Sequence, residues 1–372
     1  MTLGVALVGT GWMARAHTHA LRAVADLGLD LPPVELVTVA SRDAGRAAAT
    51  ADRLGYGTST DDWRVAVDDP RVSIVVNVAT NDLHAEPSIA ALEAGRHVLC
   101  EKPLAIDVPT AAKMASAAPS GLVAACGYNY RFVPALRLAH DLLREGRLGA
   151  IRHVRLSYLQ DWAAGMEARS GWKFDDPAAG NSVADYSHLI DLLCWLVDEP
   201  VRVCASTGTL AEGGLRRAEP GIDHEDWYAA LVELSSGATA VLEASRVATG
   251  SKGRQLVEIF GSRGALRWDM EDLNRLHLTE TRDADEDPRT AGPRDILVTE
   301  PSQPYLDSWW APGHILGWEH TLVHQWIAVL GQVTDTRDDR AASFAEGLRA
   351  CRITEAIHRS ASTSSWCTVE SR

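Results

Sequence analysis

Hydrophobic residues in the first third of the chain fall into short apolar runs that alternate with helix-like segments. Such runs are typical of strands buried on both faces of a parallel sheet, because a half-exposed strand would alternate apolar and polar positions. Strands are predicted over residues 5–8, 35–40, 73–79, 97–100 and 122–126, and helices over 15–27, 44–54 and 86–94. This order predicts an α/β fold with a doubly wound parallel sheet.

After about residue 128 the pattern changes to one of alternation. Strands with one solvated face are predicted over 151–160, 227–234, 238–246 and 254–260, and helices over 134–144, 183–196, 317–330 and 343–361. This mixture predicts an α+β domain with a largely antiparallel sheet. The charged, proline-containing segment 279–295 predicts an exposed, mobile loop. We therefore expect two domains, 1–127 and 128–372.

The glycine loop after the first strand carries the first candidate chemistry. Its residues are Gly9, Thr10, Gly11, Trp12, Met13 and Ala14. They fit the G-x-G-x-x-A form of the dinucleotide fingerprint: Gly9 permits a tight turn, Gly11 lets the backbone approach a pyrophosphate, and Ala14 allows close helix–strand contact. A glycine turn that binds nothing is the alternative, but the strand–turn–helix context favours a cofactor.

The end of the second strand bears on the type of cofactor. NAD enzymes usually carry an acidic residue there, whereas this chain has Ser41 and Arg42. A hydroxyl and a guanidinium suit a 2′-phosphate, which favours NADP. Asp43 follows one residue later, so NAD stays open.

A lysine follows the strand at 97–100, in the run Glu101-Lys102-Pro103. The carboxyl ends of parallel strands are where open α/β sheets place their ligands, and Pro103 ends the strand. Lys102 is therefore a candidate catalytic residue, although an ordinary surface lysine would give the same local pattern.

A second candidate cluster lies on the predicted helix 183–196. Asp185 falls inside the apolar stripe of that helix, and His188 lies at its border. A buried carboxylate needs a partner, and the candidates are His188 at i+3 or Lys102 from the other domain. A histidine oriented by a carboxylate is a competent general base. A purely structural Asp–His pair explains the same spacing equally well.

Two other sets of residues carry weaker signals. His320 and His324 are four residues apart beside Glu319, but no third ligand is evident, so we expect packed or surface histidines and no metal site. Trp162 and Trp172 lie in loop-like stretches, where an indole face can stack on a sugar ring. Packing within the core or an interface explains these tryptophans at least as well.

Composition narrows the function classes. The chain has 372 residues and a formal net charge of −14 with no basic cluster, which argues against binding to nucleic acid or an anionic membrane. The beginning of the sequence resembles neither a signal peptide nor a membrane span. Six scattered cysteines without C-x-x-C spacing indicate free thiols in a reducing compartment, so a cytoplasmic protein is expected.

Several motifs together resemble one family, the glucose-fructose oxidoreductase / inositol dehydrogenase / rhizopine-catabolism (Gfo/Idh/MocA) family of pyridine-nucleotide oxidoreductases. The resemblance covers nearly the whole chain. Beside the glycine loop, it rests on Asn81-Asp82-Leu83-His84-Ala85, Glu101-Lys102-Pro103, Gly127-Tyr128-Asn129-Tyr130-Arg131-Phe132, Trp172-Lys173-Phe174-Asp175, Ser187-His188-Leu189-Ile190-Asp191 and Gly317-Trp318-Glu319-His320-Thr321.

The resemblance implies a Rossmann domain over 1–127 and a substrate-binding and oligomerisation domain over 128–372. The second domain would be built on an open, mostly antiparallel sheet, through which family members form dimers or tetramers. The resemblance also implies that Lys102 hydrogen-bonds the reacting hydroxyl, that His188 takes its proton and that Asp185 supports the pair. Residues expected beside the nicotinamide are Thr80, Asn81, His84 and Glu101.

Two local features modify the implied site. The family usually places its aspartate four residues before the histidine and a glycine two before it, whereas here Asp185 is three before and Tyr186 replaces the glycine. The segment 308–317 is similar to members acting on sugars and anhydrosugars, where His314 would contact the substrate.

The leading hypothesis is an NAD(P)-dependent enzyme that moves a hydride between the cofactor and a hydroxyl-bearing carbon of a sugar, anhydrosugar or cyclitol. One alternative is an enzyme that cleaves or eliminates a glycosidic bond by transient oxidation. Another is a nucleotide-binding regulatory protein without catalysis.

Overall fold

The computed structural model describes residues 2–165, 171–174, 179, 182–211, 214–217, 224–281, 288–289, 291–336 and 340–370. Asp175, which belongs to one of the motifs above, lies outside the described residues, as do 282–287 and 290 of the predicted loop. The ends of that predicted loop are strands and not loop, because residues 279–280 and 294–295 pair with neighbouring strands.

The chain divides into two compact units. The first comprises Met1–Asn129, Asp175–Gly180 and Glu319–Cys351, and the second comprises Tyr130–Phe174, Asn181–Trp318 and Arg352–Arg372. This division differs from a single boundary after residue 127. The reason is that the segment near residue 340 bonds to the first unit's sheet, where the N–H of Cys126 donates to the carbonyl of Ala342 at 2.6 Å.

The first unit is built on a six-stranded parallel sheet in the order β3-β2-β1-β4-β5-β6. Its strands are β1 (Leu3–Val8), β2 (Val34–Ala40), β3 (Thr58–Thr60), β4 (Val72–Asn77), β5 (His97–Cys100) and β6 (Ala124–Cys126). All of β1 is buried, which confirms the expectation from its continuous apolar run. The chain order reverses between β1 and β4, and such a switch point is where doubly wound sheets bind ligands.

Helices connect these strands. They are α1 (Trp12–Asp26), α2 (Ala44–Leu54), α3 (Trp63–Asp68), α4 (Ala85–Glu93) and α5 (Val108–Ser116). Each of α2, α3 and α5 begins after an aspartate whose carboxylate accepts a backbone N–H of the first turn. This capping fixes where the helices start, because it satisfies a backbone donor that has no partner within the helix.

The second unit contains a mostly antiparallel sheet of ten strands in which β7 and β11 are the parallel pair. The strands are β7 (Ile151–Leu159), β8 (Pro200–Ala211), β9 (Gly214–Arg217), β10 (Trp227–Leu234), β11 (Thr239–Ser245), β12 (Arg254–Gly261), β13 (Gly264–Asp269), β14 (Arg275–Glu280), β15 (Arg294–Leu297) and β16 (Cys367–Thr368). Burial alternates along β7, β10 and β12, so the sheet has one buried and one wetter face.

The remaining helices are α6 (Pro134–Arg144), α7 (Ser182–Asp185), α8 (Ser187–Leu196), α9 (Glu319–Thr334) and α10 (Phe344–Thr363). The predicted helix 183–196 is in fact two helices. They are divided at Tyr186, whose backbone (φ −93°, ψ 19°) leaves the helical conformation. Among the described residues, no helix combines the length and the apolar character needed to cross a membrane.

Candidate active site

The glycine loop lies between β1 and α1, as the fingerprint predicts. Gly9 has φ +111°, and a Cβ there would lie 2.7 Å from the carbonyl oxygen of Val78. Only glycine combines this conformation with such a close approach to the next strand. A Cβ at Gly11 would meet nothing within 4 Å, so this residue borders open space at the start of α1.

Three further residues of the loop motif face different surroundings. Ala14 is fully buried, in keeping with close contact between the helix and the sheet. Met13 is half-buried, and Trp12 is 61% exposed at the first position of α1. The helix N-terminus therefore presents backbone N–H groups beside an accessible indole.

Ser41 and Arg42 follow β2 at the same edge of the sheet. Ser41 is half-buried, and Arg42 is exposed. The carboxylate of Asp43 caps α2 by accepting the backbone N–H of Arg46 at 2.9 Å, and it also pairs with the Arg46 guanidinium. The backbone hydrogen bond lowers the pKa of Asp43. Because Asp43 is engaged by its own helix, Ser41 and Arg42 are the side chains available at the end of β2.

The loop after β4 brings Thr80, Asn81 and His84 together. Asn81 donates from Nδ2 to the carbonyl of Ala179 at 2.6 Å. The hydroxyl oxygen of Thr80 is buried and has no hydrogen-bond partner among the described residues. A buried hydroxyl without a partner is costly in the protein alone, so it marks a place where a ligand can bind.

His84 connects this loop to the segment that carries the candidate lysine. Its Nδ1 lies 2.7 Å from the carbonyl oxygen of Pro103, and its Nε2 lies 3.3 Å from that of Ala79. Burial lowers the pKa of His84, so the ring is neutral and donates through one nitrogen. The shorter distance assigns that proton to Nδ1.

Glu101, Lys102 and Pro103 follow β5, next to β4 in the sheet. The carboxylate of Glu101 is buried and accepts two hydrogen bonds, from His17 Nε2 at 3.0 Å and from the backbone N–H of Lys102 at 3.2 Å. Lys102 itself is half-buried. The glycine loop, the Thr80 loop and Lys102 thus leave the carboxyl ends of β1, β4 and β5, three neighbouring strands.

His188 lies in the first turn of α8, within the second unit. It is 8% exposed, and its ring packs edge-on against Tyr130 with 4.6 Å between ring centroids. The hydroxyl of Tyr130 is 3.2 Å from that of Tyr158. Burial raises the pKa of Tyr158 well above its ordinary value, so this hydroxyl stays protonated. The cluster thus places the imidazole of His188 beside the phenol rings of Tyr130 and Tyr158.

Asp185 ends α7 and forms an ion pair with Lys173, with 2.8 Å between Oδ2 and Nζ. Lys173 was not predicted to have a role and was not among the candidate partners of Asp185, which were His188 and Lys102. Positions 173 and 185 are not related by the spacing of a helix or a strand, so the sequence pattern could not have predicted this ion pair. The one local indication was that Lys173 follows the candidate residue Trp172.

The two tryptophans predicted to bind substrate, Trp162 and Trp172, lie near Lys173. Lys173 Nζ lies 5.3 Å from the ring of Trp162 and 5.4 Å from that of Trp172, which is 43% exposed. His314 is exposed, and its Nδ1 is 2.8 Å from the carbonyl oxygen of Ala311. The second unit therefore groups Trp162 and Trp172 around Lys173.

Asp191 and His324 also have defined surroundings. Asp191 forms a buried, two-point ion pair with Arg131. His324 is fully buried, and the described residues contain no group of three or more potential metal ligands.

Comparison with known proteins identifies the family. Residues 3–126 match the oxidoreductase family with an NAD-binding Rossmann fold, and residues 136–267 match the GFO/IDH/MocA C-terminal domain. The chain is 33% identical to the levoglucosan dehydrogenase of Pseudarthrobacter phenanthrenivorans over 99% of this chain and 98% of that protein. The chain belongs to the Gfo/Idh/MocA family of oxidoreductases. The resemblance inferred from the motifs is thereby confirmed.

Two solved structures match this chain over nearly its full length. An oxidoreductase domain protein from Kribbella flavida is 38% identical, with a TM-score of 0.92 and coverage of 99% of both chains. A levoglucosan dehydrogenase in complex with NADH and levoglucosan is 31% identical, with a TM-score of 0.92 and coverage of 100% of both chains. The predicted combination of a parallel sheet and a mostly antiparallel sheet is confirmed.

The residues of the first unit fit a nicotinamide dinucleotide. The open space at Gly11 leaves room for a pyrophosphate at the N-terminus of α1. The hydroxyl of Thr80, which has no partner among the described residues, offers a polar contact after β4, the strand next to β1. The first unit is therefore compatible with the NAD-binding Rossmann fold of the family whose model it matches.

Proposed function

We propose that this protein is a nicotinamide-dependent dehydrogenase that oxidises a hydroxyl-bearing carbon of an anhydrosugar or of a closely related sugar or cyclitol. The main support is the position of Lys102 at the carboxyl end of β5, beside the strands that carry the glycine loop and the Thr80 loop. The full-length similarity to a levoglucosan dehydrogenase supports an anhydrosugar.

In this proposal two side chains act on one substrate hydroxyl. His188 takes the hydroxyl proton, and Lys102 donates a hydrogen bond to the same oxygen and stabilises the negative charge that develops on it. The cofactor, when bound, supplies the acceptor for the hydride that leaves the carbon. Thr80, Asn81, His84 and Glu101 would line the nicotinamide end of its site.

Asp185 has a supporting role in the proposal. Its ion pair with Lys173 holds the carboxylate in place at the end of α7, three residues before His188 in the sequence. This carboxylate can stabilise the imidazolium that forms when His188 takes the proton. Trp162 and Trp172 would stack on the apolar face of the sugar ring, and His314 would contact a ring hydroxyl.

We also propose that Ser41 and Arg42 bind the 2′-phosphate of NADP, so that the enzyme prefers NADP to NAD. The support is that Asp43, the carboxylate nearest to the end of β2, caps α2 and pairs with Arg46. The Arg42→Ala variant should then lose efficiency about tenfold or more with NADP and little with NAD, because charge-assisted bonds to phosphate contribute about 1.5–3 kcal/mol. Arg53→Ala, an exposed arginine at the far end of α2, is the control. An NAD preference in the unaltered enzyme would reject this part.

The proposed assembly is a homodimer or homotetramer that forms through the large sheet. Leu231 and Phe260, on strands β10 and β12, are 47% and 38% exposed. Light scattering would decide the oligomeric state, and Leu231→Lys should weaken the assembly if this face is used. A cytoplasmic setting is proposed as well, because the six cysteines form no disulfide among the described residues.

Purified protein should be incubated with levoglucosan, glucose and myo-inositol, each with NAD and with NADP, while reduced nicotinamide is followed. Net reduction with one of these compounds is the expected result. Lys102→Ala should lower kcat by about 100-fold or more and leave the Kd for the cofactor nearly unchanged. Cleavage products without net reduction would indicate the glycoside-cleaving alternative. Cofactor binding without any turnover would indicate the regulatory one.

A further inference from the structure

A chain of three buried side chains leads to the residue that precedes Lys102. The indole N–H of Trp326, on α9, lies 3.1 Å from Nδ1 of His17, on α1. His17 Nε2 lies 3.0 Å from Oε1 of Glu101. Trp326, His17 and Glu101 are 0%, 1% and 7% exposed, so the chain is closed to bulk water.

The chemistry of these groups fixes the direction of each hydrogen bond. An indole nitrogen can only donate, so Nδ1 of His17 is the acceptor and the ring carries its proton on Nε2. Nε2 therefore donates to Glu101 Oε1. The second oxygen of Glu101 accepts the backbone N–H of Lys102 at 3.2 Å, so both carboxylate oxygens have a donor.

The backbone on the other side confines the Glu101 carboxylate. A Cβ at Gly127 would lie 2.8 Å from Oε1 and 3.0 Å from Cδ of Glu101. Gly127 in turn donates its N–H to the carbonyl of Cys100, the last residue of β5, at 2.8 Å. The carboxylate is thus held by two hydrogen bonds and by a neighbouring strand end.

We infer that His17 is a positioning residue, which holds Glu101 in the orientation that fixes the backbone of Lys102. His17 lies on α1, the helix whose N-terminus follows the glycine loop, so the same helix that would receive the cofactor also holds the lysine segment in register. This inference rests on the proposed function, because it assigns His17 an effect on the step that Lys102 serves.

The structural test needs no substrate. In the intact protein, His17→Leu should raise amide hydrogen exchange in the peptide that contains Lys102, because the acceptor of the Lys102 N–H loses its anchor. Thr18→Val is the matched control: Thr18 is also fully buried on α1, and its hydroxyl donates to Ala14 at 2.7 Å, away from Glu101. Equal exchange in the wild type and His17→Leu would overturn the inference.

The kinetic test separates positioning from general stability. His17→Leu should lower kcat about 10- to 100-fold with little change in KM, since a small misplacement of a catalytic group has effects of this size. His17→Gln, whose amide can still donate to Glu101, should recover most of the loss. Trp326→Phe removes the indole N–H but retains an aromatic ring and leaves the His17–Glu101 contact in place, so it should lower kcat less than His17→Leu does. It serves as the second variant if His17→Leu does not fold.

The outcomes distinguish this inference from the proposed function. If Lys102→Ala abolishes turnover and His17→Leu does not reduce it, the positioning role is wrong and the function stands. If Lys102→Ala leaves turnover unchanged, the proposed function is wrong, and hydrogen exchange still decides whether His17 orders the segment. A loss of activity in Thr18→Val equal to that in His17→Leu would assign the effect to general destabilisation.

Discussion

Lys173 and Asp185 form an ion pair, with 2.8 Å between Nζ and Oδ2, at the end of the short helix that precedes His188. The two side chains are 34% and 21% exposed, so solvent screens the pair only in part. Lys173 also lies over the rings of Trp162 and Trp172. One cation therefore connects the proposed substrate-stacking residues to the proposed supporting carboxylate.

This arrangement predicts that the two residues act as a unit. Asp185→Asn should lower kcat about tenfold or more, because it removes the negative charge that we propose stabilises protonated His188. Lys173→Met should cause a smaller loss, and the double variant should resemble Asp185→Asn alone. Steady-state kinetics on the four proteins measures the coupling. Lys252→Met is the control, since Lys252 pairs with Asp161 at the same 2.8 Å distance but is 81% exposed. Additive effects of the two changes would contradict a shared role.

The sequence led to the candidate residues of this site but not to their partners. Gly9, Lys102 and His188 are recognisable because each belongs to a local motif with a defined relation to a strand or helix. The contact between His17 and Trp326 joins residues that are 309 positions apart, and the Lys173–Asp185 pair crosses a segment without regular spacing. Such contacts depend on tertiary packing, which local patterns do not encode.

Substitution by alanine should have different effects at Gly9 and at Gly11. Gly9→Ala should destabilise the protein, because a positive φ costs about 1–2 kcal/mol and the new Cβ would clash with Val78. Gly11→Ala should leave Tm nearly unchanged, since φ there is −70° and nothing lies within 4 Å of the added carbon. It should instead raise the Kd for reduced cofactor about tenfold, because the methyl group occupies the space needed for the pyrophosphate.

Thermal unfolding and titration of cofactor fluorescence measure these two effects separately. Gly28→Ala is a control for positive φ alone, since its φ is +64° and its Cβ would meet nothing within 4 Å. It should lower Tm less than Gly9→Ala and leave cofactor affinity unchanged. Normal affinity in Gly11→Ala would argue against binding of the pyrophosphate at this loop.

The fold was predictable where burial imposes a clear pattern. The predicted limits of α2, α6 and β10 agree with the observed ones. The three-residue strand β3 escaped prediction because its sequence, Thr-Ser-Thr, is largely exposed at the sheet edge and has no apolar run. The division of the helix at Tyr186 also escaped prediction, because the residues on either side continue the apolar stripe.

The buried ion pair between Arg131 and Asp191 should contribute strongly to the free energy of unfolding. Their side chains are 5% and 2% exposed, and the carboxylate accepts from Nε at 2.8 Å and from Nη2 at 2.5 Å. Asp191→Asn removes the negative charge beside a buried guanidinium and should lower the free energy of unfolding by about 3–5 kcal/mol. Chemical denaturation measures this change. Glu233→Gln, in the exposed pair with Arg202, should change it by less than about 1 kcal/mol.

His84 makes the stability of the first unit depend on pH. Burial lowers its pKa below the ordinary value of 6.5, while the Pro103 carbonyl and Glu101 act in the opposite direction and Lys102 reinforces the decrease. As the pH falls, the unfolded chain therefore takes up this proton before the folded one does. The contribution of His84 is complete above the unfolded pKa, and stability should fall as the pH drops below about 6.5.

The His84→Gln variant tests this dependence, because its amide can donate to the Pro103 carbonyl but does not titrate. We would measure Tm from about pH 5 to about pH 8, a range that brackets the ordinary histidine pKa of about 6.5. Tm should fall less steeply at acid pH in the variant than in the unaltered protein. Burial also lowers the pKa values of His97 and His140, so part of the acid sensitivity should remain. His140→Gln is the comparison, because His140 is only half-buried and stacks on Trp195. If both variants flatten the profile equally, the acid sensitivity does not come chiefly from the buried ring of His84.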